Sequence, residues 1–318
     1  MKLVSMKFLF GILMVSAALS CPALADDCPP NTITPDEEQI RTSIQNATNH
    51  GFLWRISKDG HASYLYGTIH VARLEWMFPG PAVAQALRSS KTIALELDVL
   101  DPDILQRLVK GMTEQQGVVL PEPLAQRMRQ HIQQECISED NIKKMIPEMQ
   151  IAMLSMASGR RDGIDPAYAI DAVLAGFGHR AKLNVVSLET PELQLKTLQM
   201  ETSQETVEIV QRSLDEMENG KARAALKETA EVWSESDYDK LDHYRDWCDC
   251  LGSEVERKLM ARMLDDRNPA MADHIDALHA EGVQVFAAVG SLHMAGENGL
   301  PALMAKRAYQ VERIDLKP

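Results

Sequence analysis

Tyr66-Gly67-Thr68-Ile69-His70-Val71 returns near the other end of the chain as Val289-Gly290-Ser291-Leu292-His293-Met294. Each copy reads Gly, small hydroxyl, branched apolar, His, apolar, and each follows a run that reads as a β-strand. A single G-x-x-H says almost nothing, because glycine is common. The same pattern at the end of two strands is a real constraint. Glycine there lets the chain turn sharply or lets another group approach the backbone, and the histidine three residues on can point beyond the strand end. Two such ends side by side would bring two imidazoles into one cleft. Strands so far apart in sequence must then pair non-locally, which argues for one domain rather than two independent halves.

The rest of the pattern agrees. Residues 51–69 are rich in Leu, Tyr and Ile around a turn at Lys58-Asp59-Gly60, a hairpin signature that leads into the first histidine motif. Further strands are expected over 91–97, 183–188, 283–289 and 309–314. A helix started by Pro79-Gly80-Pro81 and ended by Ser89-Ser90 precedes the first of these. Over 102–179 and again over 191–264, apolar residues recur at three and four positions, among them Leu105, Leu108, Val109, Met112, Met149, Met153 and Leu154. The expected fold is therefore α/β (α+β), with a mixed central β-sheet and a large helical portion in a single domain over 51–318.

Lys2 and Lys7 flank the start of an apolar run over 8–19 that is too short to span a bilayer, which takes roughly 20 residues, and Ala23-Leu24-Ala25 supplies a small-x-small cleavage site. Residues 1–25 are read as a signal peptide cleaved after Ala25, and 26–50 as a lead-in, which places the mature chain in the periplasm or outside the cell. Lipidation at Cys21 is disfavoured, because Ala18-Leu19-Ser20 matches a lipoprotein box poorly. No later stretch is long enough for a membrane span. The formal charge is −13, and losing Lys2 and Lys7 brings it to −15. With no basic run, nucleic-acid capture by phosphate neutralisation is excluded. Four cysteines remain after cleavage, Cys28, Cys136, Cys248 and Cys250, and an even count in an oxidising compartment suggests disulfides. Direct pairing of Cys248 with Cys250 looks strained, so each is expected to reach back to Cys28 or Cys136, with the connectivity open. Zinc ligation by the C-x-C is the weaker alternative.

Carboxylates stand where a histidine cleft would need them. Glu96 and Asp98 lie two apart near a strand end, and Glu189 follows the strand over 183–188 and precedes Thr190-Pro191, a helix start. A carboxylate at the end of an apolar run is costly to bury unless it is paired or bound to metal. Neutral imidazole with carboxylate is a normal ligand set for a divalent transition metal. The competing explanations are helix-terminal charge compensation for Glu189 and capping for Asp98. Asp165, just before Pro166, reads as a cap.

Taken together, Gly67-Thr68-Ile69-His70, Leu95-Glu96-Leu97-Asp98, Asp162-Gly163-Ile164-Asp165, Leu188-Glu189-Thr190 with Gln194, Arg267-Asn268 with Met271, and Val289 to Gly296 resemble the TraB/PrgY/GumN family, which includes the Tiki metalloproteases. The secreted bacterial GumN-like branch is the most similar. The resemblance implies a single domain of the TraB/Tiki/EreA-ChaN-like type and metal-dependent hydrolysis of a peptide or protein substrate. It implies that His70 and His293, with one or both of Glu96 and Glu189, hold a divalent ion such as zinc, manganese or cobalt, the other carboxylate serving as general base. Gly67 and Gly290 would be structural. Arg267, matching the family's Arg-Asn motif, would fix a carboxylate through a bidentate pair or stabilise an oxyanion. Within the same family lie two other roles, a noncatalytic peptide-binding protein and an accessory factor in envelope polysaccharide production.

Overall fold

The computed structural model describes residues 28–114 and 117–316. The expected signal peptide and cleavage site, and Cys21, lie outside the described residues. Asp59 and Gly60 both take positive φ, 53° and 83°, the pairing that a two-residue hairpin turn requires. That turn joins β1 (Phe52–Lys58) to β2 (His61–Thr68), antiparallel from Phe52 opposite Gly67 to Lys58 opposite His61. Beside them lie β3 (Thr92–Leu95), β4 (Asn184–Ser187), β5 (Val285–Gly290) and β6 (Gln310–Ile314). The order across the sheet is β4-β3-β5-β2-β1-β6. β1 runs against both of its neighbours, and the β4-β3-β5-β2 half is parallel throughout.

β5, the last strand of the parallel half in sequence, lies at its centre. Its Val-Phe-Ala-Ala-Val run is buried on both faces, as a central parallel strand must be. Because β2, β3, β4 and β5 are parallel, their carboxyl ends share one edge of the sheet. Thr68 lies opposite Gly290, and Leu95 lies opposite both Ala288 and Ser187. The two histidine motifs thus leave adjacent strands at the same level.

Helices Pro81–Ser89, Ile170–Ala181 and Asn268–Ala280 contribute to the core around the sheet. Trp233, fully buried, donates Nε1–H to the Gly67 carbonyl at 2.8 Å and so anchors the end of β2. Helices Glu122–Gln134, Pro147–Ala157 and Ser203–Glu218 build a second cluster around Met128, Ile132, Ile151, Leu154, Val210 and Leu214. The periodicity over residues 102–113 does produce a helix, Pro102–Thr113, but not its burial. Leu105 and Val109 stay exposed, because the helix packs mainly on Pro191–Leu198, where Leu108 and Met112 meet Leu195.

The cysteine pairing differs from expectation. Cys28 bonds Cys136, with Cα atoms 5.7 Å apart, and ties the lead-in to the helical layer. Cys248 bonds Cys250 directly. Asp249 between them adopts a left-handed φ of 51°, which folds the chain back until the two Cα atoms are 5.1 Å apart, within disulfide reach. Among the described residues no helix is long and apolar enough to cross a membrane.

Candidate active site

Four side chains named from the sequence emerge from the ends of the four parallel strands: His70 after β2, Glu96 after β3, Glu189 after β4 and His293 after β5. This is the edge where open α/β sheets place their ligands. β3–β4 pairing continues past the strand ends, with Glu189 N–H on the Glu96 carbonyl at 3.1 Å, so the two glutamates are delivered together.

Each histidine is held through Nδ1 by the first turn of a helix. His70 Nδ1 lies 2.7 Å from Asp171 Oδ2, and the hydroxyl of Thr68 donates to the other Asp171 oxygen. Asp171 sits where the positive end of helix Ile170–Ala181 favours a carboxylate, and Ile170 N–H bonds the Ile69 carbonyl. His293 Nδ1 lies 2.6 Å from Asn268 Oδ1, at the start of helix Asn268–Ala280. Asn268 donates its own Nδ2 to the Asn298 carbonyl, which fixes the amide so that its oxygen accepts from the ring. Both rings therefore turn Nε2 toward Glu96. The distances from Glu96 Oε1 are 3.9 Å to His70 and 3.8 Å to His293.

Glu96 is buried. Its Oε1 accepts the Gly290 N–H at 2.7 Å, and its Oε2 accepts from Gln194 at 3.1 Å and from Arg267 Nη2. Arg267 also binds both oxygens of Glu189 and gives Nη1–H to the Met263 carbonyl at 2.9 Å. Gln194 reaches Glu189 at 3.2 Å. Arg267 is thus a buried clamp between two carboxylates, with its donors directed at protein acceptors.

The two motif glycines do different jobs. A Cβ on Gly290 would lie 3.2 Å from both Glu96 Oε1 and His70 Nε2, inside the cluster, whereas one on Gly67 would press on the Ser291 backbone at 3.1 Å. Gly290 makes room for the site, and Gly67 for the neighbouring turn. Asp165 stands behind the His70 loop. Its backbone pairs with Ala72, and its carboxylate accepts from Ala167 N–H and the Thr32 hydroxyl, so it is a cap and a brace. Asp98 does not join Glu96. β3 ends at Leu95, and Asp98 turns away to His179 Nε2 at 2.7 Å.

The two imidazoles differ in charge. The Asp171 carboxylate raises His70 to about 9 against the opposing cost of desolvation. Burial lowers His293 to about 4, and the nearby glutamates do not offset it. For Glu96, burial pushes upward, but the imidazoles, Arg267 and the Gly290 N–H outweigh it and hold the carboxyl down to about 2.

Among the described residues no group of three or more His, Cys, Asp or Glu is gathered tightly enough to hold an ion as it stands. The donor chemistry nevertheless fits. Ligand atoms about 2.0–2.1 Å from a tetrahedral zinc lie about 3.4 Å apart, so separations of 3.8 and 3.9 Å need a few tenths of an ångström of contraction. Both rings also have the Nδ1 acceptor that metal-bound histidines almost always have.

Residues 52–313 match the TraB/PrgY/gumN family. The chain belongs to that family. The chain is similar to the metalloprotease TIKI1 of Danio rerio, 33% identical over 109 residues, covering 32% of this chain and 22% of that protein. The metalloprotease TIKI1 of Xenopus tropicalis is 29% identical over 103 residues, 31% of this chain and 20% of the relative. The aligned stretches thus span about a fifth of these relatives. No solved structure matches. For this TraB/PrgY/gumN chain, sequence reasoning missed Asp171 altogether and gave Asn268 and Gln194 no role. An Asp in a helix's first turn is ordinary dipole compensation, and nothing local ties it to a histidine at the end of another element.

Proposed function

We propose that this TraB/PrgY/gumN member is a metal-dependent peptidase acting on a peptide or protein substrate in the periplasm or outside the cell. The observation that carries the reading is the convergence of two imidazole Nε2 atoms on one Glu96 oxygen, with both Nδ1 atoms already held. His70, His293 and Glu96 would hold a divalent zinc, manganese or cobalt ion. Such an ion supplies Lewis acidity toward an amide carbonyl and toward water. The chain's own residues do the rest. Asp171 and Asn268 fix the two rings, and Gly290 N–H and Arg267 orient Glu96. Glu189, with its side chain 1% exposed and both oxygens on Arg267, holds the guanidinium in place. Of the two roles open to Arg267, carboxylate positioning fits its bonds. His70, with 55% of its side chain exposed, marks the side from which substrate enters. The names of the TIKI1 relatives support the hydrolytic class.

The test is to purify the protein without a His tag or chelator, measure its metal content, and digest an unbiased peptide library with added zinc, manganese or cobalt, reading products by mass spectrometry. About one equivalent of metal and defined cleavage products are expected. Less than a tenth of an equivalent, with no cleavage after metal addition, would leave a noncatalytic peptide binder.

A further inference from the structure

Helix Pro191–Leu198 works on two sides. Gln194 reaches Glu96 and Glu189, while Leu193 and Lys196 line a cleft of about 500 Å³ whose other walls include Met200, Arg262, Ala270 and Arg267. The cleft therefore shares its Arg267 wall with the imidazole–carboxylate cluster.

Arg262 is the unusual member. It lies in the π-helical turn Ala261–Asp265, which runs directly into Arg267, and single π turns inside helices are frequent at functional sites. Its Nη2 rests 3.7 Å from the Met200 sulfur, and its Nε is buried with no hydrogen-bond partner. Among the described residues its terminal nitrogens have only that weak sulfur acceptor and no carboxylate, so an acceptor entering the cleft would meet guanidinium donors that lack a strong partner. Lys196, on the facing helix, is exposed and makes no ion pair among the described residues. The acidic residues of the cleft, Glu201 and Asp266, are both exposed, so water screens them more than it screens the half-buried guanidinium. Leu193, Met200 and Ala270 offer apolar surface to the stem of a bound side chain.

We propose that this cleft is a substrate subsite for an acidic residue, a Glu or Asp of the peptide, whose carboxylate pairs with Arg262 and is drawn in by Lys196. The proposal rests on the peptidase reading. It runs against the −13 charge of the whole chain, so the selectivity is local.

The test uses fluorescein-labelled heptapeptides identical except at one scanned position, which carries Glu, Gln or Lys. Binding is read by anisotropy at 0.15 M NaCl and cleavage by mass spectrometry. For the wild type, Glu at one position should bind at least about tenfold tighter than Gln, as expected for a charge-assisted contact. Arg262→Gln should bring the Glu and Gln peptides within about twofold of each other, with the Glu peptide losing much more than the Gln peptide, and Lys196→Gln should weaken the Glu peptide about threefold. If Arg262→Gln does not fold, Arg262→Lys, which keeps the charge but loses the fork, should lose most of the preference. A wild type blind to Glu at every position, or a preference that survives at position 262, overturns the subsite. Cleavage without acidic preference defeats the subsite alone, whereas acidic preference with no cleavage under any metal defeats the peptidase reading alone.

Discussion

The two G-x-x-H halves of the site are nearly identical in sequence and opposite in physical state. Both histidines leave adjacent parallel strands, both give Nδ1 to the first turn of a helix, and both turn Nε2 to the same Glu96 oxygen. His70 is half exposed against a charged Asp171, while His293 is buried against a neutral Asn268. One is pushed up to about 9 and the other down to about 4. The motif sets where each ring goes; the partner and the burial set its proton. An anionic partner on the open side keeps a ring charged, and a neutral amide on the buried side adds no further charge to a cluster that already holds Glu96, Glu189 and Arg267.

The largest expected effect tests whether the halves act as one unit. His70→Ala, His293→Ala and Glu96→Gln should each lower kcat/KM at least about 1,000-fold, and the double histidine variant should lie within about threefold of either single one, since groups acting together are strongly non-additive. Losses that simply multiply would separate the halves. Exchanging the partners comes next. Asp171→Asn and Asn268→Asp, read by metal competition titration, should each weaken metal affinity about 10–100-fold, as changes to the group that holds a ligand imidazole do.

Much of this was legible in sequence, for identifiable reasons. Alternation and the Asp59-Gly60 turn mark the hairpin, and the repeated motif demands that β2 and β5 meet. The position of β5 between β2 and β3 was not legible, because strand order depends on crossovers rather than on local pattern. Glu96 and Glu189 stand out because charges beside apolar strand ends need partners, and Arg267 only through the resemblance to the family's Arg-Asn motif; Asp171 does not, because its partner is remote and its helix position is ordinary. Cys248–Cys250 was misread because the left-handed φ of Asp249 has no reliable sequence mark. Leu105 and Val109 show that helical period fixes a face without supplying its neighbour.

A smaller effect sharpens the contrast in the metal-stripped protein. An imidazole that folding holds neutral, as in His293, takes up a proton more readily when unfolded. The stability it allows is present above its unfolded value near 6.5 and is lost as pH falls toward about 4, at roughly 1.4 kcal/mol per unit. His70 has the opposite sign. Its contribution is full below about 6.5 and is lost as pH rises through about 9, and its exposure keeps the amount small. Urea unfolding from pH 4 to 9.5 should show His293→Ala flattening the acid limb and His70→Ala the alkaline one. A shared limb would contradict the assignment. The smallest effects belong to histidines outside the site. His61→Ala, stacked on His279, and His179→Ala, paired with Asp98, should keep activity within about twofold in the same assay, although the second strips a partner from a buried carboxylate and lowers stability by about 1–2 kcal/mol.

The most direct test of the shared site is calorimetric titration of chelator-stripped, untagged protein with zinc at pH 7, in two buffers of different protonation enthalpy. A single site is expected, with about one proton released because His70 must give up its proton and His293 has none to give. Either His70→Ala or His293→Ala should abolish it. Zinc binding that survives both substitutions, or no saturable binding to the wild type, would contradict the account.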